Sequence, residues 1–269
     1  MMREDEVIVL GPSDRVLVAQ QPTSDWRDEQ WVLGFGLYVN VLVHTALRLH
    51  GHDVRAETLE QEINKPVIGG DGGPRHVREG LVLPHQPYYA LWSYRIYCSE
   101  RFGLFGNSLA MLSGVAPRDK AESIVDWVES SCSAMRQRGL LSVELPPNLF
   151  PFIGPEDLDW RDRYQRFNKP GEYHNGGIWP FVCGFYVAAL VAAGRQRLAE
   201  QKLVALTEAC RRSKKPGVDF GFNEWIRAQD GRTCGEDWQL WSASIYLYAA
   251  TCVETATTPL FGAVRGQNA

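Results

Sequence analysis

The chain lacks the marks of several large protein classes. Its six cysteines, Cys98, Cys132, Cys183, Cys210, Cys234 and Cys252, are never closely spaced, which excludes a zinc ribbon and a Cys-x-x-Cys redox pair. Several lie in apolar runs, as Cys183 does in Phe-Val-Cys-Gly-Phe, so they read as small buried hydrophobes in a reducing compartment. Neither sign of charge is in large excess. The 28 Lys and Arg against 32 Asp and Glu give a net −4, so no polybasic face is available for nucleic acid or an anionic membrane. No apolar stretch reaches the ~18 residues of a spanning helix. The longest candidate, Phe181 to Ala193, is broken by Gly184 and bounded by Gly194. Walker, Rossmann and Gly-x-Ser-x-Gly signatures are all missing. Gly69-Gly70-Asp71-Gly72-Gly73-Pro74 has no following Lys-Ser/Thr and reads as a flexible loop. His44, His50 and His52 lie near one another without a carboxylate at ligand spacing, so no metal site is expected. The start, Met1-Met2-Arg3-Glu4-Asp5-Glu6, is acidic and polar, unlike a signal peptide, and a cytoplasmic location is expected.

What is present is a chain of 269 residues, 45% hydrophobic and 11% aromatic, enough for one large domain or two small ones. Residues 6–19 alternate weakly around Gly11-Pro12 and suggest a hairpin or extended arm. Leu37, Val41, His44 and Leu47 recur at helical spacing until Gly51 stops the run. Arg55 to Ile63 predicts a second helix, Asn107 to Ser113 a third, and the segment after Pro117 a fourth, with Ile124, Trp127-Val128 and Met135 inward. Residues 64–87 read as loop, and Tyr88 to Tyr97 as extended. Ile178 to Ala193 is apolar on nearly all sides and predicts a buried helix. Arg197 to Ser213 is amphipathic, and Trp238 to Val253 is again helical and apolar. Long loops at 139–177 and 214–236 carry the unusual chemistry, and the segment after Thr257 is expected to be a disordered tail. The outcome is an all-α chain with about seven helices, paired through tight turns at Gly51 and Gly194.

Three segments each set a carboxylate beside a tryptophan: Ser24-Asp25-Trp26-Arg27-Asp28; Asp159-Trp160-Arg161-Asp162 continuing to Gly171–Pro180; and Asn223-Glu224-Trp225 with Asp230-Gly231 after it. A tryptophan stacks on the apolar face of a sugar while Asp, Asn, His and Arg bind its hydroxyls. Two carboxylates are what glycosidic cleavage needs, one protonating the leaving oxygen and one acting as base or nucleophile. Each segment taken singly also has a structural explanation. Asp28 fits a helix N-cap with Trp26 plugging a core, and Tyr173–Gly177 fits a turn before a helix.

Gly-Glu-Tyr-His-Asn-Gly-Gly-Ile-Trp-Pro at 171–180 resembles the motif of the alkaline/neutral invertases (glycoside hydrolase family 100) and of the related glycogen-debranching-type six-hairpin glycosidases. Ser24–Asp28 with Leu37–Leu42 resembles their acid-bearing segment and the helix after it. Phe222–Trp225, Asp230-Gly231 and Trp241-Ser242-Ala243 resemble their base-bearing loop and final helix. The resemblance runs from about residue 23 to 254, and also takes in Arg101-Phe102 and Gly106–Ala110. It implies an (α/α)6 toroid and inverting hydrolysis without a cofactor. Such a toroid has twelve helices, so an incomplete one lacking N-terminal hairpins is expected, with 1–22 an arm, 23–256 the catalytic domain and 257–269 the tail. Carried over, Asp28 is the general acid, with Asp25 and Asp162 as rivals, and Glu224 is the general base. Asp25, Trp26, Arg161, Tyr173, His174, Asn175, Trp179 and Trp241 would bind the sugar.

The substrate class implied is an α-glucosidic sugar, sucrose first, with a glucosyl- or mannosyl-glycerate or an α-1,6 branch as further candidates. A carbohydrate-binding protein with a degenerate site, or a sugar phosphorylase on a similar barrel, are the competing classes. Partners are expected to be a small carbohydrate and, through exposed helix faces, another copy of the chain.

Overall fold

The computed structural model describes residues 16–21, 25–28, 34–67, 80–94 and 97–266. The arm expected at 6–19 falls largely outside these residues, as does the whole Gly69–Pro74 loop. The chain divides into two compact units, Met1–Ser123 with Leu260–Ala269, and Ile124–Pro259.

The first unit is built on helices α1 (Leu37–Leu49), α2 (Asp53–Ile63) and α3 (Leu104–Ser113). The α1 boundaries match the predicted run. Leu37, Val41, His44 and Thr45 point inward, and α1 packs on both α2 and α3. Every residue of α3 is buried, so this helix has no polar face to betray its start, which lies three residues before the predicted one. Strands β1 (Phe35–Gly36), β2 (Trp92–Tyr94) and β3 (Tyr97–Ser99) form an antiparallel sheet in the order β1-β2-β3, pairing Phe35 with Ser93 and Trp92 with Ser99. A further short strand, β4 (Phe102–Gly103), leads directly into α3. Asn40 of α1 pins the chain ahead of it. Its Oδ1 accepts from Val18 N–H at 2.7 Å, and its Nδ2 donates to Gly36 O at 2.8 Å and Val18 O at 3.1 Å. His44 is buried, with Nε2 3.4 Å from Glu60 Oε2 of α2.

Helix α4 (Arg118–Gln137) follows Pro117 as predicted, and the unit division falls within it. Its inward stripe is Ile124, Val125, Val128, Cys132 and Met135. After the short strand β5 (Leu149–Phe150) and the single turn α5 (Tyr164–Phe167), helices α6 (Pro180–Ala192) and α7 (Gln196–Arg211) form a hairpin across Gly194. Helix α8 (Leu240–Thr255) packs on both. α6 is buried along nearly its whole length, as a helix apolar on all sides should be. Glu129 of α4, half-buried, joins the buried Tyr186 of α6 and Lys202 of α7 in a polar link. Lys202 Nζ lies 2.7 Å from Glu129 Oε2, and the Tyr186 hydroxyl donates to Glu129 Oε1 at 3.0 Å. Strands β6 (Trp225–Ile226) and β7 (Thr233–Cys234) form a small hairpin inside the predicted 214–236 loop. Beyond residue 257, where the sequence suggests a disordered tail, the chain instead forms a single-turn helix, α9 (Phe261–Val264). It returns to the first unit, packs on α3 and buries Phe261 and Val264. All six cysteines are free thiols, and Cys132, Cys183, Cys210 and Cys252 are buried. Among the described residues no helix is long and apolar enough to cross a membrane, and no cluster of His, Cys, Asp and Glu could hold a metal.

Candidate active site

In the second unit, backbone pairing brings two of the three sequence segments together. Ile178 and Ile226 exchange both backbone hydrogen bonds, each 2.8 Å. This sets the 171–180 loop against β6, beside Glu224 and Trp225.

The loop is held from within. Asn175 is fully buried, and both of its side-chain donors are used, on Ile153 O (2.8 Å) and Asn168 O (3.0 Å), while its Oδ1 accepts from Ile153 N–H at 2.6 Å. Asn175 therefore shapes the loop. Asn148, which sequence reasoning missed, does the same for the next residue by accepting the Gly176 N–H at 2.9 Å. The chain doubles back so tightly that a Cβ at Gly177 would sit 2.5 Å from Tyr173 O, so no side chain fits there.

The result is a set of rings graded in exposure. Trp179 is buried, with its indole N–H donated to Tyr173 O at 2.9 Å. His174 stacks on it, centroids 4.9 Å apart and planes 10° apart. Tyr173 lies 5.3 Å from Trp179 and 5.9 Å from Trp225. Trp241, 44% exposed at the start of α8, stacks on Phe181 at 4.8 Å and meets Trp179 edge-on at 6.1 Å. An exposed ring braced by buried ones is a ready platform for the apolar face of a sugar. Phe181 is a ring partner that its place in an apolar helix does not mark in the sequence.

Glu224 is half-buried. Its backbone N–H donates to Glu236 O at 2.9 Å, and its carboxylate Oε2 accepts the Glu236 N–H at 3.0 Å. Asn223 beside it is buried and donates to Cys234 O at 2.7 Å. The neighbouring Asp230 is a turn residue. It is exposed, and the hydrogen bond from Arg227 holds its carboxyl below the ordinary value. Backbone strain gathers around these loops. Tyr173, Phe220, Phe222 and Trp238 all have positive φ, from +42° to +62°. Bulky residues held in that region cost roughly 1–3 kcal/mol each and tend to cluster where function requires a fixed geometry.

The first unit carries the remaining acids. Asp25 has a nearly inaccessible carboxylate that takes both Arg27 Nε (3.2 Å) and Nη2 (3.1 Å). Burial, and then the Asp25 charge, push the Tyr38 hydroxyl above its ordinary pKa against the opposing pull of Arg27. Trp26 meets Phe105 of α3 edge-on at 5.8 Å. Asp28 is exposed, in a turn. It does not cap α1, whose N-cap is Gly36. Asp25 thus anchors Arg27, within the turn that carries Asp28. In the second unit, Arg161 is also exposed and turns its guanidinium back on its own loop, donating to Leu158 O at 3.1 Å and Trp160 O at 2.9 Å. Asp162 is exposed just ahead of α5.

Comparison with known proteins adds family and fold. A family described as alkaline and neutral invertase matches residues 95–256, a stretch that contains 171–180 and Glu224 but begins after Asp25 and Asp28. Cytosolic invertase 1 of Oryza sativa subsp. japonica is 31% identical over 160 residues, 57% of this chain and 26% of that protein. Probable alkaline/neutral invertase D of Arabidopsis thaliana is 31% identical over 160 residues, 57% of this chain and 27% of its own length. The matched part therefore spans about a quarter of these relatives. Among solved structures, the GH63 mannosylglycerate hydrolase of Thermus thermophilus in complex with Tris and D-glycerate superposes with a TM-score of 0.54 at 17% identity, over 81% of this chain and 45% of that one. Its glucose complex gives 0.52 at 13% identity, over 79% and 47%. The helices are thus arranged as part of a six-hairpin glycosidase fold.

Proposed function

The chain belongs to the alkaline and neutral invertase family, and from that premise we propose that it hydrolyses an α-glucosidic bond with inversion. Glu224 accepts a proton from a water whose oxygen bonds to the anomeric carbon. The bond from that carbon to the bridging oxygen breaks, and Asp28 gives its proton to the departing oxygen. Trp241 and Tyr173 bind the sugar, braced by the buried Trp179 and His174; Asn175 holds their loop, and Asp25 holds Arg27 in the turn that carries Asp28; Trp26 and Arg161 are the outer candidates. The observation that carries this reading is the Glu224 carboxylate, fixed by a backbone N–H next to the ring cluster.

Sucrose is the first substrate to test. One structural neighbour is a mannosylglycerate hydrolase by name, so glucosyl- and mannosyl-glycerate belong in the same panel. Product anomers followed by NMR should show β-glucose first. Glu224→Gln should abolish turnover while sugar still binds. Wild-type turnover by that variant, or α-glucose as the first product, would reject the assignment.

The exposure of Asp28 favours a second reading, sugar binding without cleavage, because a general acid works best shielded from water. A sugar-dependent rise in melting temperature with no product released would identify it. A cytoplasmic location is part of the proposal; one relative is named cytosolic, while others are named chloroplastic or mitochondrial.

A further inference from the structure

We infer that the Gly235–Glu236 turn is a positioning clamp for the Glu224 carboxylate, and that position 235 must lack a side chain for that carboxylate to reach its place. The inference rests on the reading of Glu224 as the base and adds what holds it.

The geometry is specific. Glu224 and Glu236 are joined twice, by the Glu224 N–H to Glu236 O (2.9 Å) and by the Glu236 N–H to Glu224 Oε2 (3.0 Å). Gly235 links strand β7 to Glu236, with φ +70°. A Cβ built there would lie 2.2 Å from Glu224 Oε2, 2.7 Å from its Cβ and 2.8 Å from its Cδ. The carboxylate therefore occupies the space that any side chain at 235 would need.

The turn cannot easily move away. Lys214 Nζ donates to Gly235 O from outside. The Ser213 hydroxyl and the Lys214 N–H both donate to Asp237 Oδ2, at 2.7 and 3.0 Å. Asn223 Nδ2 ties Cys234 O on the other flank. With the turn strapped on both sides, an added methyl group displaces the Glu224 carboxylate and breaks its bond to the Glu236 N–H. A misplacement of about 1 Å in a reacting group costs about 10²-fold in rate.

Backbone strain has to be separated from displacement, and Gly217 allows it. Gly217 lies in the same loop with φ +77°, and the place its Cβ would take has nothing within 4 Å, so Gly217→Ala carries the strain without the collision. The test compares wild type, Gly235→Ala, Gly217→Ala and Glu236→Pro, the last removing the N–H donor. Melting temperature, KM and kcat on the cleaved sugar are measured, with the Glu236 amide proton followed by NMR. In the wild type that amide should move when Glu224→Gln is introduced, and in Gly235→Ala this response should vanish. Gly235→Ala should lose about 10²-fold in kcat with KM little changed, Glu236→Pro should lose kcat in the same sense, and Gly217→Ala should keep it. A Gly235→Ala enzyme with wild-type kcat, or a Glu236 amide blind to Glu224→Gln, overturns the clamp. If the wild type cleaves no sugar in the panel, the hydrolase reading falls on its own, and the amide response still decides whether the clamp exists.

Discussion

Asp25 and Asp28 lie three residues apart and should answer to mutation in opposite ways. The Asp25 and Arg27 side chains are 1% and 3% exposed, joined by two charge-assisted hydrogen bonds of 3.1 and 3.2 Å. Asp25→Ala leaves the Arg27 guanidinium buried without that partner. Removing one member of a buried pair costs about 3–5 kcal/mol, chiefly the desolvation of the charge left behind. At about 2–4 °C per kcal/mol for a chain of this size, the melting temperature should fall by about 6–20 °C. Asp28 is exposed, so Asp28→Asn should cost about 1 kcal/mol or less, yet abolish cleavage if it is the acid. Tyr38 supplies an internal reporter. The Asp25 charge raises its pKa while Arg27 lowers it, so Asp25→Ala should bring Tyr38 ionisation to lower pH in ultraviolet difference spectra, with Tyr38→Phe as the blank. Calorimetric melts and kcat on the cleaved sugar complete the comparison. If Asp25→Ala melts like the wild type, or if Asp28→Asn keeps full turnover while a folded Asp25→Asn loses it, the division of labour is refuted and Asp25 takes the acid role.

Three further outcomes are expected. Lys202→Met should destabilise by about 1–3 kcal/mol in urea melts, because the half-buried Glu129 keeps its charge without its cation and the Glu144 carbonyl loses its donor. Asn175→Ala leaves Ile153 and Asn168 backbone groups unsatisfied at about 1–3 kcal/mol, and should reduce turnover through the displaced rings, seen as loss of the near-ultraviolet tryptophan signal. Burial pushes the Cys132 and Cys210 thiols up to about 12 and Cys183 further. Their folded pKa values lie above the unfolded ones, so the stabilisation is complete below about pH 9 and is lost as pH rises from there towards the folded values. Each thiol then removes about 1.4 kcal/mol per pH unit. Urea melts at rising alkaline pH should show this decline, with a shallower slope in Cys210→Ala; a flat profile would contradict it.

How much of this could be read from the chain depends on whether the determining contact is periodic. Helix α1 is delimited in the sequence because Leu37, Val41 and His44 repeat at helical spacing and Gly51 ends the run, and α4 because Pro117 precedes a one-sided apolar stripe. The start of α3 is not, since Leu104, Phe105 and Gly106 are buried on all sides and give no alternation. The β6–β7 hairpin escapes notice for a simpler reason: two-residue strands are too short to alternate. α9 escapes likewise, being a single turn held by Phe261 and Val264 against α3.

At the candidate site the same rule separates residue identity from residue role. The acids and tryptophans stand out in the sequence because few other chemistries need them together. Their burial does not. Nothing local distinguishes Asp25, locked on Arg27, from Asp28, exposed three residues later, because the difference is made by packing around Tyr38 and Phe105. Asn175 looks like a hydroxyl-binding amide, yet its donors are taken by Ile153 and Asn168, residues 22 and 7 positions away. Gly235 is the extreme case. A glycine in a polar loop reads as a turn, and only the closure of Glu236 onto Glu224, twelve residues upstream, reveals that the missing side chain makes room for a carboxylate. Such loop-to-loop contacts follow no helix or strand period, so in this chain the catalytic candidates can be named from sequence while the groups that aim them require coordinates.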